Sequence, residues 1–186
     1  GDRIYSADIS RYVVTSAVGH LVEIQAPEEY DVKRGKWSFA HLPVVPPHFD
    51  LAPIDKAKSR LNAVVKLVKR KDVSELINAC DAGREGELIF RLIVQYAGID
   101  KKAAKPIRRL WLQSMTPQAI RDGFEQLRSD EQMQGLADAA RSRSEADWLV
   151  GMTLSGVATL AHWELFSVGR VQTPTLALLV EREKAI

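Results

Sequence analysis

SELINACDAGREGELIFRLIVQ, residues 74–95, changes character in its middle. Ser74 to Cys80 is a short run of strand-forming residues that stops at Asp81, and the segment from Arg84 to about Tyr96 reads as a helix. That helix opens with three charged residues, Arg84, Glu85 and Glu87, packed around Gly83 and Gly86. Carboxylates gathered at the carboxyl end of a strand are costly unless something positive or aqueous meets them. A metal ion, an arginine and plain water are the three candidates.

Working outward from this switch, strand and helix signals alternate. A helix is predicted over Asp55–Lys71, with Ala57, Leu61, Val64, Val65 and Val68 at helical spacing and Asp55 as its cap. After the central stretch come a strand over Ile107–Leu112 and a helix over Pro117–Leu127, where Thr116 caps and Pro117 occupies the first turn. Short strands separated by single helices make a parallel sheet with helices on its faces. The fold class is therefore α/β. RYVVTSAVGHLVEI, residues 11–24, predicts one or two short strands with a turn near Gly19 and His20. Ala26–Pro53 carries five prolines and reads as an irregular excursion with one strand around Trp37–Leu42. No strand pattern follows Glu131: residues 131–160 read as mostly helical, a break falls near Phe166–Gly169, and Pro174–Ile186 reads as a last helix. The expected division is thus 1–130 and 131–186.

Composition sets wide bounds. With 186 residues, 46% hydrophobic and 27% charged, the chain suits a soluble globular domain, or one domain and part of a second. The apolar runs are too short to span a bilayer, and the N-terminus lacks a secretory signal. A single cysteine, Cys80, excludes an internal disulfide and suits a cytoplasmic setting. The net charge of +2 does not by itself announce a nucleic-acid binder. Basic residues do cluster in residues 55–71 and 101–109, the pattern of a solvated face.

In parallel α/β sheets ligands collect where strands lead into helices. Asp81 stands at such an end and Glu85 follows in the opening turn, where the helix dipole favours negative charge. Two such carboxylates can hold Mg²⁺ through oxygen ligands and waters, with Arg84 able to meet a phosphate. A helix N-terminus decorated with acids is the plain alternative. His41, His48 and His162 lack metal-ligand spacing and read as structural or exposed. Cys80 reads as a small buried hydrophobe, and Trp111 and Trp148 as core.

DAGREGE, residues 81–87, resembles the Asp-x-Asp-x-Glu signature of the Toprim domain and the longer Asp-x-Asp-Arg-Glu-Gly-Glu form of type IA DNA topoisomerases. SVGRVQTPTLALLVERE, residues 167–183, is similar to the stretch that opens the helical domain of that family, in the variant nearer topoisomerase III. ADWLVGMTLS (146–155) and SAVGHL (16–21) also resemble family segments in the expected order. The resemblance implies a Toprim domain lacking its first strand, joined to the start of the helical domain. It implies an enzyme that cleaves and rejoins one DNA strand through a 5′-phosphotyrosine without ATP, relaxing or decatenating DNA. Asp81, Glu85 and Glu87 are then the Mg²⁺ ligands, Arg170 steadies the cleaved phosphate, and His20, Arg84, Gln172 and Thr173 lie near single-stranded DNA.

Three features depart from the family pattern. None of Tyr5, Tyr12, Tyr30 and Tyr96 has the family's Tyr-Pro-Arg-Thr context, no glutamate-bearing first strand precedes Tyr12, and Gly83 replaces the signature's second aspartate. The expectation is a fragment that binds Mg²⁺ weakly, does not cleave DNA alone, and associates with the remainder of its parent or with itself through an open sheet edge. Another Toprim enzyme, a primase or nuclease, and a non-catalytic Toprim binding module are the alternatives. The SVGRVQTPTL segment counts against the former.

Overall fold

The structure, a computed structural model, describes residues 11–29, 37–99 and 105–185. It divides into two units, one of Gly1–Glu23 and Leu51–Arg141, the other of Ile24–Asp50 and Ser142–Ile186.

In the first unit, β3 (Leu76–Asn78) runs parallel to β4 (Ile107–Arg109), with Leu76 opposite Ile107 and Asn78 opposite Arg109. On the far side of β4 lies β5 (Arg128–Ser129), antiparallel to it. The sheet is thus mixed, because the chain reverses after α3 (Pro117–Glu125) instead of crossing over again. Helix α1 (Lys58–Val68) and helix α2 (Arg84–Ala97) supply its cover. The apolar stripe of α2 serves two clusters: Ile93 joins Leu61 and Val64 of α1 with Leu21 and Val22, while Val94 and Ala97 join Leu76 and Ile99. Burial of such stripes is the main stabilising term for elements this short. Lys105 closes the end of α1, its Nζ donating to the carbonyls of Val68 at 2.7 Å and Arg70 at 2.6 Å.

Strands β1 (Val22–Ile24) and β2 (Leu51–Pro53) form a separate two-stranded sheet. They run in opposite directions, since Gln25 N–H donates to Asp50 C=O and Ile54 N–H to Leu21 C=O. The strand expected at Trp37–Leu42 is instead a 3₁₀ turn at Phe39–His41, and β2 lies inside the proline-rich excursion. Arg11–Ala17 takes no regular structure; its Tyr12 ring meets Phe124 at 5.4 Å. Asp55 does not cap α1 either. It sits in a preceding 3₁₀ turn and pairs with Lys58 at 2.7 Å. Thr116 does cap α3, its side chain accepting from Ala119 N–H at 3.3 Å.

Helix α4 (Asp130–His162) gives Asp130–Arg141 to the first unit and Ser142–His162 to the second. In the second unit a Cβ on Gly156 would stand 3.3 Å from Leu42 and from Trp37, so glycine here lets the excursion approach α4 closely. Phe49 meets Trp148 edge to face at 5.8 Å. Helix α5 (Gln172–Lys184) begins two residues before Pro174 and exposes Leu176, Leu178, Leu179 and Val180. Among the described residues no helix is long and apolar enough to cross a membrane.

Candidate functional site

Between β3 and α2 the chain turns sharply, and the turn is built on close backbone approach. Gly86, in the first turn of α2, lies directly against Asp81: a Cβ on Gly86 would come within 2.1 Å of the Asp81 carbonyl oxygen. Gly83 is different. Its φ of 170° is ordinary extended backbone and a Cβ there would meet nothing within 4 Å. The missing aspartate of the signature therefore leaves open space, and glycine is not sterically required.

Beneath the turn lies a buried polar network. Asn78, Glu87 and Arg109 are each only 1% exposed. Glu87 Oε1 accepts from Arg91 Nε at 2.8 Å, and its Oε2 accepts from Asn78 Nδ2 at 3.0 Å and lies 3.4 Å from Arg109 Nε. Arg91 also meets Asp130 at 2.6 Å, tying α2 to the start of α4. Burial pulls the Arg109 guanidinium below its ordinary value, and the charge of Glu87 opposes that shift. For Arg91 burial pulls the same way, but Asp130 and Glu87 more than offset it, and its affinity for the proton rises. Leaving such a charge without its partner costs about 3–5 kcal/mol.

Above the turn, Asp81, Arg84 and Glu85 are exposed. Glu85 Oε2 lies 3.2 Å from His20 Nε2, which brings the Gly19–His20 turn to the site. The three acids thus face different surroundings: Asp81 and Glu85 open to solvent, Glu87 inward to two arginines. Among the described residues no group of three or more His, Cys, Asp or Glu side chains could hold a metal ion. Cys80 is half-buried, and burial pushes its thiol up.

Sequence reasoning overlooked Arg109, Arg91 and Asn78. The available signal was the Arg108–Arg109 pair inside a strand: side chains alternate between faces, so one of two adjacent arginines must point inward. Trp111 also departs from the expected apolar surroundings, with Arg109 and Arg128 guanidinium carbons 5.1 and 4.5 Å from its ring centroid.

Arg170 belongs to the second unit. Its Nε donates to Asp147 Oδ1 at 2.5 Å, and Arg143 Nε lies 3.6 Å from the other oxygen of that carboxylate. The hydrogen bond from Arg170 holds the Asp147 carboxyl below the usual range and raises Arg170. Two of the segments that carry the family resemblance, residues 146–155 and 167–183, are joined by this pair. Gln172 Nε2 donates to Ser167 Oγ at 3.1 Å and Thr173 Oγ1 accepts from Gly169 N–H at 3.0 Å, so both shape the turn around Arg170.

The profile of the Toprim domain matches residues 4–115, and that of the DNA topoisomerase domain matches residues 131–186. A strand leading into acids, an α2 whose first turn packs through Gly86 on Asp81, and these two domains in this order define a Toprim protein, and the chain belongs to the type IA DNA topoisomerases. It is 46% identical over 178 residues to DNA topoisomerase 3 of Bacillus cereus (strain ATCC 14579), covering 95% of this chain and 24% of that protein. It is 43% identical over 176 residues to DNA topoisomerase 3 of Bacillus subtilis (strain 168), with the same coverage of 95% and 24%. The chain thus spans about a quarter of the length of these relatives. Full-length topoisomerase I from Thermotoga maritima shares the fold, with a TM-score of 0.61 at 24% identity over 93% of this chain and 26% of the other.

Proposed function

We propose that this chain is the part of a DNA topoisomerase that presents the Toprim metal site and the first DNA contacts of the helical domain, with 1–130 as the Toprim domain and 131–186 as the start of the helical one. The parent reaction is transient cleavage of one DNA strand: a tyrosine oxygen bonds to a backbone phosphorus, the 3′-hydroxyl leaves, and the reverse step restores the strand. Because the phosphodiester is exchanged for a phosphotyrosyl ester, no ATP is needed to reseal it. Relaxation and decatenation are the two outcomes of this chemistry. Single-stranded DNA is the substrate, and residues 1–186 contribute metal binding and DNA contact to it.

Mg²⁺ fits the residues present. It takes one or two carboxylates, retains waters and shares phosphate oxygens. Asp81 and Glu85 offer exposed carboxylates on either side of the β3–α2 turn. The observation that carries the reading is this pair, outward-facing, above a third acid already engaged by Arg91 and Arg109. Glu87 accordingly organises the site from beneath. When bound, Mg²⁺ supplies charge to the phosphate during cleavage and rejoining. Arg170 exchanges Asp147 for the scissile phosphate, and His20, Arg84, Gln172 and Thr173 line the DNA path.

Titration of the chain with Mn²⁺ and with a labelled single-stranded oligonucleotide tests the proposal. Asp81→Asn should abolish Mn²⁺ binding. Arg170→Ala should weaken oligonucleotide binding and reduce the slope of log K against log salt by about 0.7, one single-strand phosphate contact. Wild-type binding of both ligands by these variants would refute it.

A further inference from the structure

The β3–α2 turn is held from inside by one side chain. β4 places Arg109 opposite Asn78. Its Nη1 donates to the carbonyls of Asn78 at 2.9 Å, Cys80 at 2.7 Å and Leu110 at 3.1 Å, and its Nη2 donates to the carbonyl of Asp81 at 2.5 Å. The carbonyls of Cys80 and Asp81 lie beyond the end of β3, where no neighbouring strand can satisfy them, and a loop in that position ordinarily turns to water. Here a buried guanidinium takes their place. Gly86 closes on the same oxygen and leaves no room for even a methyl group between α2 and the Asp81 carbonyl.

We propose that Arg109 is a positioning residue for the metal site: held by its guanidinium and packed against Gly86, the backbone of Asp81 has one available placement, which leaves its side chain exposed as that of Glu85 is. The inference rests on the reading of Asp81 as a metal ligand. Glu87 balances the charge, and Asn78 ties the arrangement together by donating to Glu87 while its Oδ1 accepts from Cys80 N–H at 3.1 Å. A buried ion pair made for stability alone is replaceable by apolar side chains at little cost. What apolar side chains cannot do is donate to consecutive carbonyls of an irregular turn. Lysine cannot do so either, since a point charge on a flexible stem lacks the planar fork.

Two readouts separate positioning from mere support: Mn²⁺ affinity, followed by water proton relaxation, and the rate at which a disulfide reagent labels Cys80, the single cysteine, in the native protein. Arg109→Lys keeps the charge and should weaken Mn²⁺ binding roughly tenfold, the scale of outer-shell effects on metal sites. It should also speed Cys80 labelling severalfold, because the Cys80 carbonyl loses its anchor. Thr116→Ala, which removes the side-chain cap of α3 and touches no part of the turn, should lower the melting temperature and leave both readouts unchanged. Gly86→Ala disturbs the same backbone from α2 and should reproduce the effect on both readouts, which keeps the test decisive if Arg109→Lys does not fold. An Arg109→Lys protein that is less stable but binds Mn²⁺ and reacts at Cys80 like the wild type would overturn the proposal, as would a Gly86→Ala protein with both readouts unaltered. Asp81→Asn distinguishes the two failures: if it binds Mn²⁺ normally, the metal-site reading falls, and the labelling rate alone decides whether Arg109 holds the turn.

Discussion

Gly83 and Gly86 stand three residues apart and carry opposite constraints. At Gly83 a side chain meets open space on extended backbone, whereas at Gly86 it strikes the Asp81 carbonyl. Gly83→Asp should therefore fold normally and, by adding a third carboxylate beside Asp81 and Glu85, tighten Mg²⁺ binding by roughly tenfold, since ligand charge count tunes affinity. Calorimetric titration checks it. Gly86→Ala should destabilise the protein by about 1–3 kcal/mol, the usual scale of overpacking, read from the shift of a urea midpoint. The acids of the motif were legible from residue type and order alone. That Glu87 turns inward was not, because helical spacing gives a direction only relative to a core, and the core here includes Arg109 from a strand twenty-two positions further along.

Among the elements, the best-anticipated were those whose signals are local. Thr116 accepts from Ala119 N–H ahead of Pro117, and Thr116→Ala should cost about 1 kcal/mol of stability by chemical denaturation. Helix α2 ends where Gly98 adopts φ 67°, the left-handed region that an L side chain enters at a cost. Gly98→Ala should lower stability by about 1–2 kcal/mol, measured the same way. Strands were read too long or misplaced. β3 and β4 are three residues each, and Trp37–Leu42 folds as a turn despite its aromatic and aliphatic content. A strand exists only where a partner supplies its hydrogen bonds, and β5 and β2 pair with residues that no local pattern identifies.

Across the molecule as a whole, Asp55, Asp72 and Asp147 are held below the usual carboxylate range by the lysine or arginine each pairs with. Arg70 holds Asp72 below its usual range, chiefly through a hydrogen bond, and Arg170 does the same to Asp147. A carboxyl whose folded pKa lies below its unfolded value contributes stability that is fully present above the unfolded pKa, near 4, and is lost as pH falls through the folded one. The melting temperature should accordingly hold steady from neutral pH to about 5 and decline below about 4. The Asp147 share of that decline should shrink in Arg170→Ala, where Arg143 alone remains beside the carboxylate, and shrink in high salt, because the partners face solvent. By itself the sequence determined the alternation of helices and strands, the turn at Asp81, the long helix after Asp130 and the family, since each rests on neighbouring residues or on their order. Only the tertiary structure decided that Glu87 is engaged by Arg91 and Arg109, that the proline-rich excursion as far as Asp50 belongs with residues 142–186, and that Arg170 meets Asp147. Those are pairings between distant positions. Their partners are chosen by packing and by the cost of leaving a buried charge alone, and neither is written in any local stretch of chain.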